Sequence, residues 1–151
     1  MLATSYTISA TTNAPFADAV GRVREELEAE GFGILSEIDV QATLGAKLGV
    51  EMEPYTILGA CKPTLAHQAL QAEPDLGVLL PCNVVVRTHG RKTHVTAIDP
   101  ERMLSIVEND RLAPIAADVG ERLPRFGAQP ASGPGRSRTS ARRFEVCRSI
   151  H

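Results

Sequence analysis

Hydrophobic positions in the first part of the chain switch between a two-residue period and a helical period. Residues 4–10 alternate loosely between apolar and polar side chains, which predicts a strand. Beyond Pro15 the apolar side chains recur at helical spacing, and this stripe consists of Phe16, Val20, Val23 and Leu27. Residues 32–38 predict a second strand. A short helix follows, because Asp39 can cap its first turn and Gly49 can end it.

The same order of elements recurs from Tyr55 onward. Residues 55–61 predict a strand, Pro63 opens an alanine-rich helix, and residues 77–80 predict another apolar strand. We interpret the recurrence as a duplicated strand–helix–strand unit. A Val-rich strand from Cys82, a turn at residues 89–92 and a return strand at residues 93–98 then predict a hairpin. A helix that begins at Asp99-Pro100 and a last helix over residues 110–123 complete the predicted elements.

Composition divides the chain into a body and a tail. A length of 151 residues suits one domain, and 43% hydrophobic residues with only 4% aromatic residues and no Trp predict an aliphatic core. From Pro124 the chain is rich in Pro, Gly, Ser and Arg and has no apolar period. We therefore predict a folded domain at residues 1–123 and a disordered tail at residues 124–151, which carries Cys147.

The charge is divided in the same way. Residues 1–123 contain 10 Lys or Arg and 17 Asp or Glu, a net charge of −7, whereas residues 124–151 contain six Arg and one Glu, a net charge of +5. An acidic body argues against nucleic-acid binding, except for weak binding through the basic tail, which can contact phosphates. No apolar run reaches the length of a membrane span and no signal peptide is visible, so we expect a cytoplasmic protein that does not interact with membranes.

Two cysteines lie at the predicted ends of strands. Cys61 ends a strand just before Pro63 opens a helix, and Cys82 follows Pro81 at the start of the Val-rich strand. Backbone N–H groups at a helix N-terminus favour a thiolate, so a redox pair or a ligand site is one interpretation of these thiols. The other is simple packing, because free cysteine is commonly buried as a small apolar residue.

The segments around these cysteines resemble a known family. They are Tyr55-Thr-Ile-Leu-Gly-Ala-Cys61-Lys-Pro63 and Gly77-Val-Leu-Leu-Pro-Cys82-Asn-Val-Val-Val86. Over residues 5–123 the chain is similar to the small bacterial and archaeal proteins of the domain-of-unknown-function family 302 (DUF302). The resemblance implies an α+β domain, with helices packed against a mainly antiparallel sheet, that forms a homodimer. It supplies no reaction, and this chain has Lys62 where the family often has Asn.

We expect a non-enzymatic homodimer that binds a small molecule or a partner near the two cysteine strands. The candidate ligand-binding residues are Tyr55, Cys61, Lys62, Cys82 and Asn83. The alternative is a thiol-dependent redox or sulfur-handling protein that uses Cys61 and Cys82. Zinc could also use these thiols with His67 and His94, but nothing in the sequence makes the four converge, so we expect no metal and no cofactor. No motif of hydrolytic or phosphate-binding enzymes occurs, and no catalytic residue is assigned.

Overall fold

A five-stranded antiparallel sheet forms the frame of the protein in the computed structural model, which describes residues 6–122. The strands are β1 (Thr7–Thr12), β2 (Gly33–Asp39), β3 (Tyr55–Cys61), β4 (Cys82–His89) and β5 (Lys92–Ile98). Their order across the sheet is β1-β5-β4-β3-β2, and every neighbouring pair is antiparallel. The predicted α+β class with a mainly antiparallel sheet is confirmed.

The connections between the strands are mostly helical. The helices are α1 (Phe16–Ala29), α2 (Val40–Leu48), α3 (Pro63–Ala72), α4 (Pro100–Ser105) and α5 (Ala113–Arg122), and two 3₁₀ helices span Pro74–Leu79 and Asp110–Leu112. The predicted caps are confirmed: Asp39 Oδ1 accepts the Ala42 N–H at 2.9 Å, and Asp99 Oδ1 accepts the Glu101 N–H at 3.0 Å. Gly49 adopts a φ of 67°, a left-handed conformation that glycine reaches without steric cost, and it ends α2.

The core lies between one face of the sheet and the helices. Side chains alternate along each strand, and the inward positions of β3, β4 and β5 are almost fully buried. Leu58, Val84, Val86 and Val95 are examples of these inward residues. Val23 and Leu27 of the predicted helical stripe are buried against them, and Phe16 and Val20 pack at the margin. The core is therefore aliphatic, as the composition predicts.

The opposite face of the sheet, which we call the open face, carries half-buried and exposed side chains. Its middle row runs across all five strands through Ser9, Thr96, Val85, Ile57 and Ile38, each directly opposite the next. Gly59, on the same face, is buried because Pro81 and Ser36 lie over it. A Cβ at this position would approach Pro81 Cγ to 2.8 Å and would also collide with the Ser36 hydroxyl.

The structure differs from the sequence-based expectation in the segment before β4. Residues 77–80 form no strand; Pro74–Leu79 is a 3₁₀ helix, and β4 begins only at Cys82. Leu76 turns into the core while Val78 is 87% exposed, which is a helical rather than a strand-like distribution. A run of four apolar residues is compatible with either structure, so its periodicity could not decide between them.

The predicted second strand–helix–strand unit ends in β4 instead of a strand at residues 77–80, and the two units occupy the one sheet differently. In the first unit β1 and β2 lie at opposite edges, whereas in the second β3 and β4 are direct neighbours. The predicted tail, with Cys147, lies outside the described residues. Its dispensability for folding stays a prediction.

Candidate functional site

Cys61 and Cys82 line one small cavity, which we call the thiol cavity. Cys61 is the last residue of β3, Cys82 is the first of β4, and the register pairs Ala60 with Cys82 across these neighbouring strands. Pro63 starts α3 two residues after Cys61, as expected from the sequence. The cavity has a volume of about 30 Å³, and the side chains around it are mostly apolar, among them Phe32, Leu65, Leu104, Ile115 and Val119. This volume is room for a water molecule or two at most.

Burial opposes thiolate formation at both cysteines. It raises the pKa of the Cys82 thiol to about 11, with a smaller contribution from the nearby Cys61. Burial also raises the pKa of Cys61, although that side chain is only partly covered. The expected thiolate-favouring effect of the helix N-terminus is therefore outweighed by the desolvation of the charged form. Both cysteines are free thiols that stay protonated at neutral pH.

Lys62 joins the cavity wall to the end of the first helix. Its Nζ donates to the Glu30 carbonyl oxygen at 3.5 Å, and Glu30 is the C-cap of α1. A cation at a helix C-terminus is favourable because the last carbonyl groups carry partial negative charge. Lys62 makes no side-chain capping bond to α3, which begins instead with Pro63. Lys62 therefore connects the C-terminal end of α1 with the end of β3.

The other two candidate residues do not join the thiol cavity. Asn83 is adjacent to Cys82 in the chain but lies on the open face, where it is exposed, because side chains alternate along β4. Tyr55 is at the far end of β3 and pairs with Arg87. Cys61 is six residues beyond Tyr55, so at about 3.3 Å per residue the two lie about 20 Å apart along the strand. The five candidate residues thus lie in three places. Cys61, Lys62 and Cys82 line the thiol cavity, Asn83 lies on the open face, and Tyr55 lies at the far end of β3.

Asn83 instead borders a groove that the sequence did not reveal, which we call the end groove. The groove lies beside the start of β4, has a volume of about 450 Å³, and is formed mainly by Tyr6, Val78, Leu79, Pro81, Asn83, Ile98, Arg102, Met103 and Ile106. Val78 is 87%, Ile106 71% and Tyr6 58% exposed. Met103 lines both the end groove and the thiol cavity, so it separates the two spaces. The part of the sequence that could have indicated this groove is the apolar run before Pro81, but we interpreted that run as a strand.

The histidines considered for zinc do not line the thiol cavity. His67 is exposed on α3, and His94 lies on β5 at the end of the sheet that carries Tyr55. Between residues 6 and 122, no group of three or more His, Cys, Asp or Glu side chains is placed to hold a metal ion. Nor does any helix in that part of the chain have the length and apolar character needed to cross a membrane.

Comparisons with known proteins agree with this architecture. The crystal structure of an uncharacterized conserved DUF302 protein from Bacillus stearothermophilus superposes with a TM-score of 0.76 at 25% sequence identity, covering 96% of this chain and all of that one. A search of curated proteins finds no match. The family description "Domain of unknown function DUF302" matches residues 8–129, which is most of the sequence. The chain therefore belongs to the DUF302 family.

Proposed function

We propose that this protein is a non-enzymatic binding module whose ligand is a small organic molecule held in the end groove, beside the strand of Cys82. The observation that carries the proposal is the groove itself, with its volume of about 450 Å³ and its exposed Val78, Ile106 and Tyr6. Ligand sites commonly measure about 300–1,000 Å³ and are lined mainly by apolar side chains. Large apolar residues clustered on a surface are typical of interaction sites.

The thiol cavity is too small to be that site. Its volume of about 30 Å³ is roughly a tenth of the smallest ordinary ligand pocket. It adjoins the groove through Met103, a flexible side chain that can adapt to what lies beside it. We therefore assign Cys61 and Cys82 to the wall behind the ligand rather than to direct contact with it.

A thiol-dependent redox or sulfur-handling function is the second candidate. The shared cavity favours it, because two thiols around one small space could form a disulfide. The raised pKa of Cys82, about 11, opposes it, since the thiolate is the reactive form of cysteine. Cys61 should therefore react with a thiol reagent no faster than a free cysteine at neutral pH, and Cys82 only after unfolding.

The polar groups around the groove indicate the kind of ligand. Asn83 offers an amide that can donate and accept, and the exposed Arg102 offers a guanidinium group. Both border a surface that is otherwise apolar. We infer a ligand with an apolar body and a polar or acidic head.

An apolar fluorescent dye with a sulfonate head tests the site, because it carries both features. Val78→Asp should weaken dye binding about tenfold, since a carboxylate replaces an apolar contact and repels the acidic head. The matched control is Leu48→Asp, because Leu48 is 68% exposed on α2, away from the groove. Equal binding by the two variants would contradict the proposal. Native mass spectrometry of freshly purified protein should then identify a co-purified ligand.

The homodimer belongs to the same proposal. Val84 and Val86 of the Val-rich strand are covered by the protein's own helices, so the side of this strand left for a partner is the open face. Five strands about 4.8 Å apart and about seven residues long give an open face of roughly 500 Å². A dimer that leaves the row through Tyr55 and Arg87 in solvent buries less than the whole face, and complete coverage would bury about 1,000 Å². That area is at the lower limit of a stable interface. The proposed partner is a second copy of the chain. Two copies related by a two-fold axis each contribute the same open face to the interface.

A further inference from the structure

Four polar side chains form a row across the open face, at the end opposite the end groove. Thr11 of β1 lies opposite His94 of β5, His94 lies opposite Arg87 of β4, and Arg87 lies opposite Tyr55 of β3. We call these four residues the Arg87 row. Arg87 is five residues after Cys82 on β4, which places the row about 17 Å along the strand from the thiol cavity.

The row concentrates positive charge without a carboxylate to balance it. Within residues 6–122, the Arg87 guanidinium forms no hydrogen bond or ion pair, and Lys92 and His89 are close enough to act on His94. The pKa of His94 is lowered, first by burial and then by the charges of Arg87, His89 and Lys92. Like charges directly opposite each other destabilise a sheet, so protonation of His94 opposite Arg87 costs stability when nothing is bound.

The carboxylate of Glu53, two residues before Tyr55 in the chain, is already engaged elsewhere. Glu53 accepts the Gly90 N–H with both carboxylate oxygens, at 3.2 and 3.3 Å, and Glu53 Oε2 lies 4.0 Å from His89 Nδ1. These contacts hold it at the β4–β5 turn. The cations are also unusual for this chain, because residues 1–123 carry 10 basic and 17 acidic side chains. The Arg87 row is thus a local positive site on an acidic body.

We propose that the Arg87 row binds a phosphate group, either as free phosphate or on a small organic molecule. A guanidinium group binds phosphate through two parallel N–H donors, and the row adds an imidazole and two hydroxyl groups as further donors. The Thr11 hydroxyl and His94 Nδ1 are already 3.3 Å apart, which leaves His94 Nε2 to reach a ligand. Because the body is acidic, a small phosphate compound suits the row better than a polyanion such as nucleic acid. This site is separate from the end groove.

A histidine NMR titration of the full chain provides the test, with inorganic phosphate as the probe. Bound phosphate should raise the pKa of His94, because a nearby negative charge favours the imidazolium form. Arg87→Gln should weaken phosphate binding about tenfold, as expected for the loss of a charged hydrogen-bond donor. The control Arg22→Gln removes the same charge from an exposed position on α1 and should bind like the wild type.

Two further comparisons separate the outcomes. Without phosphate, Arg87→Gln should by itself raise the pKa of His94, because it removes a repelling charge. Tighter binding of phenyl phosphate than of inorganic phosphate would assign an organic phosphate, and equal binding would assign the free ion. The proposal is overturned if phosphate leaves the His94 titration unchanged, if acetate binds equally well, or if Arg87→Gln and Arg22→Gln behave alike. Should Arg87→Gln not fold, Tyr55→Phe removes one donor of the same row and should also weaken binding.

Discussion

Burial of the Cys82 thiol ties the stability of the protein to alkaline pH. Its pKa in the folded chain is about 11, against an ordinary value of 9.0. Below pH 9 the thiol is protonated in both states and its contribution to stability is complete. Between pH 9 and pH 11 the unfolded chain loses the proton first, so the free energy of unfolding should fall by about 2–3 kcal/mol.

Cys82→Ala isolates this contribution from other groups that titrate in the same range. The variant should be less stable at neutral pH, because it leaves a small cavity, but its stability should decline less steeply between pH 9 and pH 11. Chemical denaturation at several pH values measures both slopes. Parallel slopes for the two proteins would show that Cys82 titrates normally in the folded state.

The sequence predicts where Cys61 and Cys82 lie better than it predicts the pKa values of their thiols. Strand ends at Cys61 and Cys82 follow from local signals, namely the adjacent Pro63 and Pro81. The raised pKa depends on atoms contributed by distant segments, such as Ile115 and Val119 of α5. Nothing close to Cys82 in the sequence reveals that burial.

At the scale of elements, the local sequence predicted the capped helices and the strands whose apolar and polar side chains alternate. The exception was the segment from Pro74 to Leu79, which forms a 3₁₀ helix although the sequence predicted a strand at residues 77–80. This helix supplies one side of the end groove. Turning Leu76 into the core leaves Val78 in solvent beside Ile106 of the α4 C-cap. Because the apolar run was interpreted as a strand, no binding surface was predicted there.

The cap of α4 should therefore affect the groove as well as stability. Asp99→Ala removes the hydrogen bond to the Glu101 N–H and should cost about 1 kcal/mol of unfolding free energy. Because α4 supplies Arg102 and Met103 to the groove wall, the variant should also bind the apolar dye more weakly. Asp39→Ala is the control: it removes the cap of α2, which contributes no groove residue, and should leave dye binding unchanged. Equal loss of dye binding in both would mean that general destabilisation is the cause.

At the scale of the molecule, local sequence patterns did not predict the complete order of the strands in the sheet. The hairpin of β4 and β5 and the neighbours β3 and β4 follow from short connections. The placement of β1 at the edge opposite β2 depends on pairing with a segment far along the chain, as in the register of Thr7 with Ile98. The open face follows from that placement together with α1, α3, α4 and α5, whose buried residues pack against the other face.

The uncovered middle row of that face carries Val85, Ile57 and Ile38, where an antiparallel sheet that faces water would ordinarily carry polar side chains. Neither that row nor the row through Asn83 contains a charged residue, so two copies can meet there without burying an unpaired charge. We expect sedimentation at micromolar concentration to give twice the chain mass. Val85→Lys should give the monomer mass, because it would place two like charges in a dry interface.

Thr64→Lys adds the same charge at an exposed position on α3, on the helical side of the sheet, and should remain a dimer. Circular dichroism should show that both variants are folded. A wild-type protein that sediments as a monomer would contradict the homodimer itself. A dimer that persists in Val85→Lys would instead place its interface away from the open face, and the exposed Val78 and Ile106 of the end groove would then be the surface to test next.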